Sequence, residues 1–246
     1  MGKTSISWAD MTWNPITGCS KVSAGCKNCY AKAVTERFGG DFSEVMLHLD
    51  LLEQPLHWKK PRRIFVNSMS DTFHKDVPDE FIDRIYEVML EASQHTYLVL
   101  TKRPARMQSC VRRWLGYGSL PGGILTEKML ENIWLGVSVE DQASADERIP
   151  VLLETPAAVR WLSVEPLLGP IDLPWEALSG ETSLRWVVIG GESGPKHRSC
   201  ELAWIDDLVE SCWSADVNVY VKQDSHRLPG QQGRIPDAMW AKKELP

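Results

Sequence analysis

Six stretches of the chain share one plan: an apolar, β-branched core that ends in polar, charged or glycine-rich residues. They are RIFVNSMSD (63–71), TYLVLTKRP (96–104), NIWLGVSVED (132–141), VRWLSVEPLLG (159–169), LRWVVIGGESGP (184–195) and VNVYVKQD (217–224). Continuous apolar runs of this kind are the mark of strands buried on both faces. The segments between them carry helical spacing instead. In VPDEFIDRIYEVMLEASQ (77–94), Pro78 stands near a helix start, and Phe81, Ile82, Ile85, Val88 and Met89 recur at intervals of three and four. DERIPVLLET (146–155) and ELAWIDDLVESCW (201–213) fill equivalent gaps, the second with Ile205, Leu208, Val209 and Cys212 on one face. Strands that alternate with helices pair in parallel through right-handed crossovers, so an α/β fold is expected. An open doubly wound sheet and a barrel fit this pattern equally. LGYGSLPGGILTEKML (115–130) reads as a glycine-rich excursion, and no repeat or linker divides the 246 residues, which predicts one domain over 1–246.

In either architecture, ligands bind at the carboxyl ends of the strands. That makes candidates of Asn67, Ser68, Ser70 and Asp71; Thr101, Lys102 and Arg103; Ser138, Glu140 and Asp141; Ser163 and Glu165; Gly190, Gly191, Glu192 and Ser193; and Lys222 and Gln223. Any one of them is equally well a cap or turn residue. Their recurrence at every strand end is what marks a functional face. The basic stretch KKPRR (59–63) precedes a strand and falls on the opposite face, whereas TKRPAR (101–106) and PKHR (195–198) follow strands. Lys102, Arg103, Arg106, Lys196, His197 and Arg198 are thus expected around one opening, where they would receive an anionic substrate.

With a net charge of −6, the chain has no general attraction for nucleic acid or anionic membrane, although a local basic patch could still meet either. No run of about 18 apolar residues occurs, and the N-terminal MGKTSISWADMTWNP lacks a basic segment followed by an apolar one. The expectation is a cytoplasmic protein with no membrane partner. Most of the eleven tryptophans, among them Trp58, Trp134, Trp161, Trp186 and Trp204, read as core. Trp8 and Trp13, beside the cysteine loop, are candidates to cover a metal centre or stack on a base.

That loop is TGCSKVSAGCKNCYA (17–31), which holds three of the six cysteines as Cys19-x6-Cys26-x2-Cys29. In a reducing compartment, clustered cysteines point to metal binding rather than to disulfides. Two thiolates separated by two residues can grip a metal centre from one turn, and Gly18 and Gly25 let the backbone curl around it. Structural zinc takes four closed ligands, yet no second paired motif is present. Cys110, Cys200 and Cys212 read as small buried residues, and no spacing favours His48, His57 or His74 as a fourth ligand. Three thiolates on a four-iron cluster leave one iron open, as a catalytic centre needs.

TWNPITGCSKVSAGCKNCYA, together with VNSMSDTFH and GGESGP, resembles the phage-associated three-cysteine family (DUF5131), which its cysteine motif places with the radical S-adenosylmethionine (radical SAM) superfamily. The likeness runs from Trp13 to about Gln223. It implies a partial (β/α)6-type barrel of parallel strands with an additional C-terminal strand. It implies further that Cys19, Cys26 and Cys29 ligate a [4Fe-4S] cluster whose unique iron chelates SAM. A reducing electron donor would drive cleavage of SAM to a 5′-deoxyadenosyl radical, which takes hydrogen from an anionic substrate such as a nucleotide or a modified nucleobase in DNA or RNA.

By position, the resemblance assigns Ser68 and Asp71 to the SAM amino group, Ser138 and Glu140 to the ribose, and Lys102 or Arg103 to the carboxylate. Arg103, Arg106, Glu165, Glu192, Lys196, His197 and Arg198 are left for substrate. Two features depart from the commonest superfamily loop: six residues rather than three separate the first two cysteines, and Asn28 stands where an aromatic is usual. Counted from a first strand that ends at the cysteine loop, the Gly190-Gly191-Glu192 motif, too, follows the sixth strand rather than the second. Two other readings of the residues stay open, namely a zinc-binding interaction module and a metal-free α/β-barrel hydrolase using Glu165, Glu192 and Asp71.

Overall fold

The computed structural model describes residues 4, 6–116 and 130–246. The glycine-rich excursion read at 115–130 therefore falls, for residues 117–129, outside the described residues. The chain divides into two compact units, Met1–Lys21 with Ala31–Gly136 and Thr155–Val159, and Val22–Tyr30 with Val137–Glu154 and Arg160–Pro246.

The strands of the described residues are β1 (Met11–Trp13), β2 (Ile16–Thr17), β3 (Met46–Leu47), β4 (Arg63–Val66), β5 (Thr96–Thr101), β6 (Ile133–Val139), β7 (Val159–Val164), β8 (Leu184–Gly190) and β9 (Asn218–Gln223). The helices are α1 (Tyr30–Arg37), α2 (Leu49–Leu52), α3 (Asp79–Glu91), α4 (Pro104–Trp114), α5 (Gln142–Leu153), α6 (Trp175–Leu178), α7 (Leu202–Ser214) and α8 (Asp237–Trp240).

Seven strands form one sheet in the order β1-β4-β5-β6-β7-β8-β9, the order of the chain itself. A doubly wound sheet reverses its order at a switch point, whereas a sheet that never reverses is wound like a barrel, each crossover turning the same way. This order decides between the two architectures the sequence allowed: the fold is α/β with a partial-barrel sheet, β1 and β9 lying at its two ends. All six expected strands are present as β4 to β9, the last of them the additional C-terminal strand, and β1, before the cysteine loop, makes the seventh. Its outer edge is covered by the chain end, where Val221 N–H donates to Lys242 O and Glu244 N–H to Val219 O, each at 2.9 Å. Covering an edge in this way removes a template for unwanted pairing.

The strands end where the sequence turns polar, and the local cause is visible. Asn67, directly after β4, takes a φ of 56°. Its Oδ1 accepts from Ile16 N–H at 3.1 Å, and its Nδ2 donates to Thr72 Oγ1 at 2.8 Å. Asparagine tolerates the left-handed region for this kind of local bonding. Beyond β8, a Cβ on Gly191 would lie 2.4 Å from Ser225 N, so the second glycine of GGE is required by close backbone packing.

The apolar stripe expected on α3 is buried, with Tyr86 joining Phe81, Ile82, Ile85, Val88 and Met89, and Asp79 and Glu80 suit the positive end of the helix. α5 begins four residues before the expected 146. Asp141 Oδ1 accepts from Ser144 N–H at 2.9 Å, and Ser144 Oγ accepts from Asp141 N–H at 3.1 Å. That reciprocal cap starts the helix in a polar first turn, where no apolar stripe could announce it. The pair β2–β3, two residues on each side, is likewise too short to leave a periodic signal.

Trp8, Trp13, Trp161 and Trp186 are among the largest fully buried side chains. The Trp13 indole donates to Leu51 O at 2.8 Å. Burial makes Trp8 and Trp13 core residues, so neither offers a face for base stacking. Among the described residues, no helix is long and apolar enough to cross a membrane.

Candidate functional site

In the first unit, the approach to the cysteine loop is fixed by backbone. Gly18 has a φ of +85°, and a Cβ there would lie 1.9 Å from Glu44 O, so no other residue fits. Gly18 N–H donates to Met69 O at 3.2 Å and Cys19 N–H to Phe42 O at 2.8 Å. Behind them stands Asp71, 5 % exposed, which follows β4. Its carboxylate accepts from Thr101 Oγ1 at 2.8 and 2.9 Å, from Phe73 N–H at 2.9 Å and from Lys102 N–H at 3.1 Å. The fourth donor is Arg103 Nη1, at 2.8 Å.

Arg103 continues outward to the loop. Nη2 donates to Ser20 O and to Ser20 Oγ, each at 3.1 Å, while Nη1 lies 3.7 Å from Cys19 Sγ. Desolvation works against its charge, but Asp71 and Cys19 outweigh it and hold the guanidinium more basic than usual. One buried carboxylate thus aims one cation at one cysteine.

Ser20 Oγ also meets His74 Nε2 at 2.7 Å. His74 is 1 % exposed, and its Nδ1 accepts from Asp76 N–H at 3.2 Å. A backbone N–H can only donate, so Nδ1 carries no proton and the neutral ring donates from Nε2 to Ser20. Burial, and then the charge of Arg103, push His74 below its ordinary pKa and favour that neutral form. Ser20 is therefore an acceptor here, held from two directions.

The second unit grips its part of the loop through Glu192, which follows β8 and is 4 % exposed. Glu192 Oε2 accepts from Arg198 N–H at 2.8 Å, Arg198 Nε at 2.9 Å and Asn28 Nδ2 at 2.9 Å, and Oε1 accepts from Arg198 Nη2 at 2.5 Å. Burial would raise its pKa, but the donors on Arg198 and Asn28 prevail and hold the carboxyl below the usual range. Arg198 Nη1 then reaches Ala24 O at 3.0 Å, and Asn28 Nδ2 also donates to Lys196 O at 2.9 Å. Asn28 is a polar lock on the GGE turn.

Glu140, at the end of β6, is wholly buried. Its Oε1 accepts from Ser23 Oγ at 2.9 Å, and Arg148 Nη1 lies 3.3 Å from Oε2. A Cβ on Gly25 would stand 2.5 Å from Glu140 Cγ, which is why glycine precedes Cys26. Farther along the sheet, Ser138 Oγ donates to Glu165 O at 3.1 Å, and Lys222 Nζ pairs with Glu165 Oε1 at 2.7 Å.

The six cysteines fall into two chemical groups. Cys110, Cys200 and Cys212 are buried, and burial pushes their thiols up to about 11, 12 and 12. Such sulfurs stay protonated, and metal ligation requires the thiolate. Cys19, Cys26 and Cys29 are half-buried. Cys19 faces a guanidinium, and Cys26 Sγ lies 3.9 Å from Ser23 Oγ. As a donor set, three half-buried sulfurs on one loop suit thiolate ligation. A single zinc ion, with Zn–S bonds of about 2.3 Å, needs its ligands converged on one point. Among the described residues, no group of three or more His, Cys, Asp or Glu side chains is gathered to hold a metal ion, Cys19, Cys26 and Cys29 included.

The remaining sequence-predicted residues are distributed as follows. Ser68 Oγ donates to Asn14 Oδ1 at 3.1 Å. Lys102 follows β5, with its backbone on Asp71. Arg106 turns toward the start of α3, donating to His74 O, to Val77 O at 2.6 Å and to Asp79 Oδ1 at 2.5 Å. Lys196 and His197 are exposed on the loop after β8. Sequence reasoning missed Ser20, Ser23, Ala24 and His74 as parts of the loop's support. Their only signal was adjacency to the cysteines or, for His74, to VNSMSD.

No curated protein and no solved structure matches the chain. One protein-family profile does, over residues 3–238, and on that match the chain belongs to the family described as Protein of unknown function (DUF5131).

Proposed function

We propose that the protein is a radical SAM enzyme in which Cys19, Cys26 and Cys29 hold a [4Fe-4S] cluster. The observation that carries this reading is the contrast among the cysteines: three half-exposed thiols on an anchored loop, against three buried ones whose burial keeps them protonated. Bound there and reduced by an external donor, the cluster would supply the electron that cleaves SAM to a 5′-deoxyadenosyl radical.

The chain's own residues then have separate duties. Asp71 with Arg103, and Glu192 with Arg198, hold the loop by the carbonyls of Ser20 and Ala24. Glu140 steadies Ser23 and sets the space at Gly25. Ser68, Lys102 and Ser138 are the proposed polar contacts to SAM. Lys196 and His197, exposed beyond β8, are the proposed contacts to an anionic substrate of the nucleotide class, free or within nucleic acid. A reducing compartment such as the cytoplasm suits thiolate ligands.

The hydrolase alternative is less well supported. A general acid needs a raised pKa, yet Glu192 is held below the usual range by Arg198 and Asn28 after burial is counted, and Glu165 is paired with Lys222. Nor does the Ser20–His74 contact make a nucleophile, because the His74 nitrogen that faces Ser20 is the protonated one.

Purification without oxygen is the test. Brown protein carrying iron and sulfide, which converts SAM to 5′-deoxyadenosine under dithionite, is the expected result; colourless protein with one zinc overturns the reading. Cys26→Ala is expected to lose cluster and cleavage together, and survival of either overturns the ligand assignment.

A further inference from the structure

We infer that Arg103 sets the reduction potential of the cluster through the Cys19 sulfur, rather than binding SAM or substrate. This rests on the proposed cluster. Both terminal nitrogens of the guanidinium are committed: Nη1 to Asp71 at 2.8 Å and to Cys19 Sγ at 3.7 Å, and Nη2 to Ser20 O and Oγ at 3.1 Å. Asp71 is in turn fixed by Thr101, Phe73 and Lys102, so the fork cannot swing to another partner without leaving a buried carboxylate exposed to loss. A donor and a positive charge at a ligand sulfur stabilise the cluster more as it gains negative charge, which favours its reduced form. The step is a one-electron reduction: dithionite or a mediator gives the electron, the cluster passes from the 2+ to the 1+ state, and no proton or bond changes hands.

The second unit supplies an internal control. Arg198 makes the equivalent grip on a buried carboxylate and on a loop carbonyl, Ala24 O, and its described hydrogen bonds include none to a cysteine sulfur. The two arginines therefore separate holding the loop from tuning the metal.

The test is a potentiometric titration of the full-length, cluster-loaded protein, read by electron paramagnetic resonance, with iron and sulfide counted per chain. Arg103→Lys keeps the charge and can still pair with Asp71, but a single ammonium cannot reach all the partners of a fork. The double variant Asp71→Asn with Arg103→Met removes both charges, so that neither is left buried alone. Both are expected to retain iron and to shift the midpoint negative, lowering the reduced-to-oxidised ratio at a fixed potential by about fivefold or more, the scale of one charge-assisted hydrogen bond. Arg198→Lys is expected to leave the midpoint in place. An unchanged midpoint in Arg103→Lys, an equal shift in Arg198→Lys, or loss of iron from both Arg103 variants in otherwise native protein overturns the tuning role. Wild-type protein without iron instead overturns the cluster itself.

Discussion

Two buried carboxylates, Asp71 in one unit and Glu192 in the other, do the same mechanical job by different means. Each receives an arginine, and each arginine reaches on to a carbonyl of the cysteine loop. Asp71 and Arg103 come from the ends of neighbouring strands, β4 and β5, and the arginine side chain is 15 % exposed. Glu192 and Arg198 lie six residues apart in a single turn, where the arginine is 29 % exposed. The first pair bridges the segments that follow two neighbouring strands and is the more buried; the second is local, and loop residue Asn28 reinforces it. Rigidity drawn from the sheet suits a cation that must stay beside a sulfur, and local rigidity is enough to hold a carbonyl.

Removing the carboxylates separates the two pairs. Asp71→Ala leaves Arg103 with its charge largely buried and is expected to cost about 3–5 kcal/mol of stability in urea unfolding. Glu192→Gln, whose arginine can turn to solvent, is expected to cost about 1–3 kcal/mol. Equal costs would erase the contrast. Asn28→Ala removes one reinforcing donor and is expected to cost about 1 kcal/mol in the same experiment.

The smallest effect is with pH. His74 lies below its ordinary 6.5 in the folded protein, so between the folded and unfolded values the unfolded chain binds the extra proton. Its contribution is complete above the unfolded pKa and is lost as pH falls through the folded one. Melting temperatures are expected to drop between about pH 7.5 and about pH 5.5, and His74→Gln to flatten part of that slope. An unaltered slope would release Ser20 from its dependence on the neutral ring.

The order of strands and helices was readable because strands buried on both faces leave unbroken apolar runs, and the α3 stripe carries its own period. Barrel-type winding was not legible in that alternation, which serves either architecture; it came from the family resemblance, and the strand order bears it out. At the site, the strand-end residues were identified, but their partners were not. Nothing in the sequence tells Arg103 to choose Asp71, 32 residues away, over a ligand carboxylate, and the same holds for Arg106, which turned to α3. Asn28 left a trace only as a departure from the usual aromatic, and its meaning came from Glu192, 164 residues on. Long-range polar pairing has no periodicity, so it escapes pattern reading.

Four of the six residues between Cys19 and Cys26 are spent on attachment: Ser20 and Ala24 lend carbonyls to the arginines, Ser23 lends a hydroxyl to Glu140, and Gly25 makes room for that carboxylate. For anyone recombining such proteins, the loop is not a portable cassette. Transplanted alone, it would arrive without its sockets; trimmed to three intervening residues, it would strand Arg198 or Arg103. The smallest unit of exchange is the loop together with Asp71, Arg103, Glu140, Glu192 and Arg198.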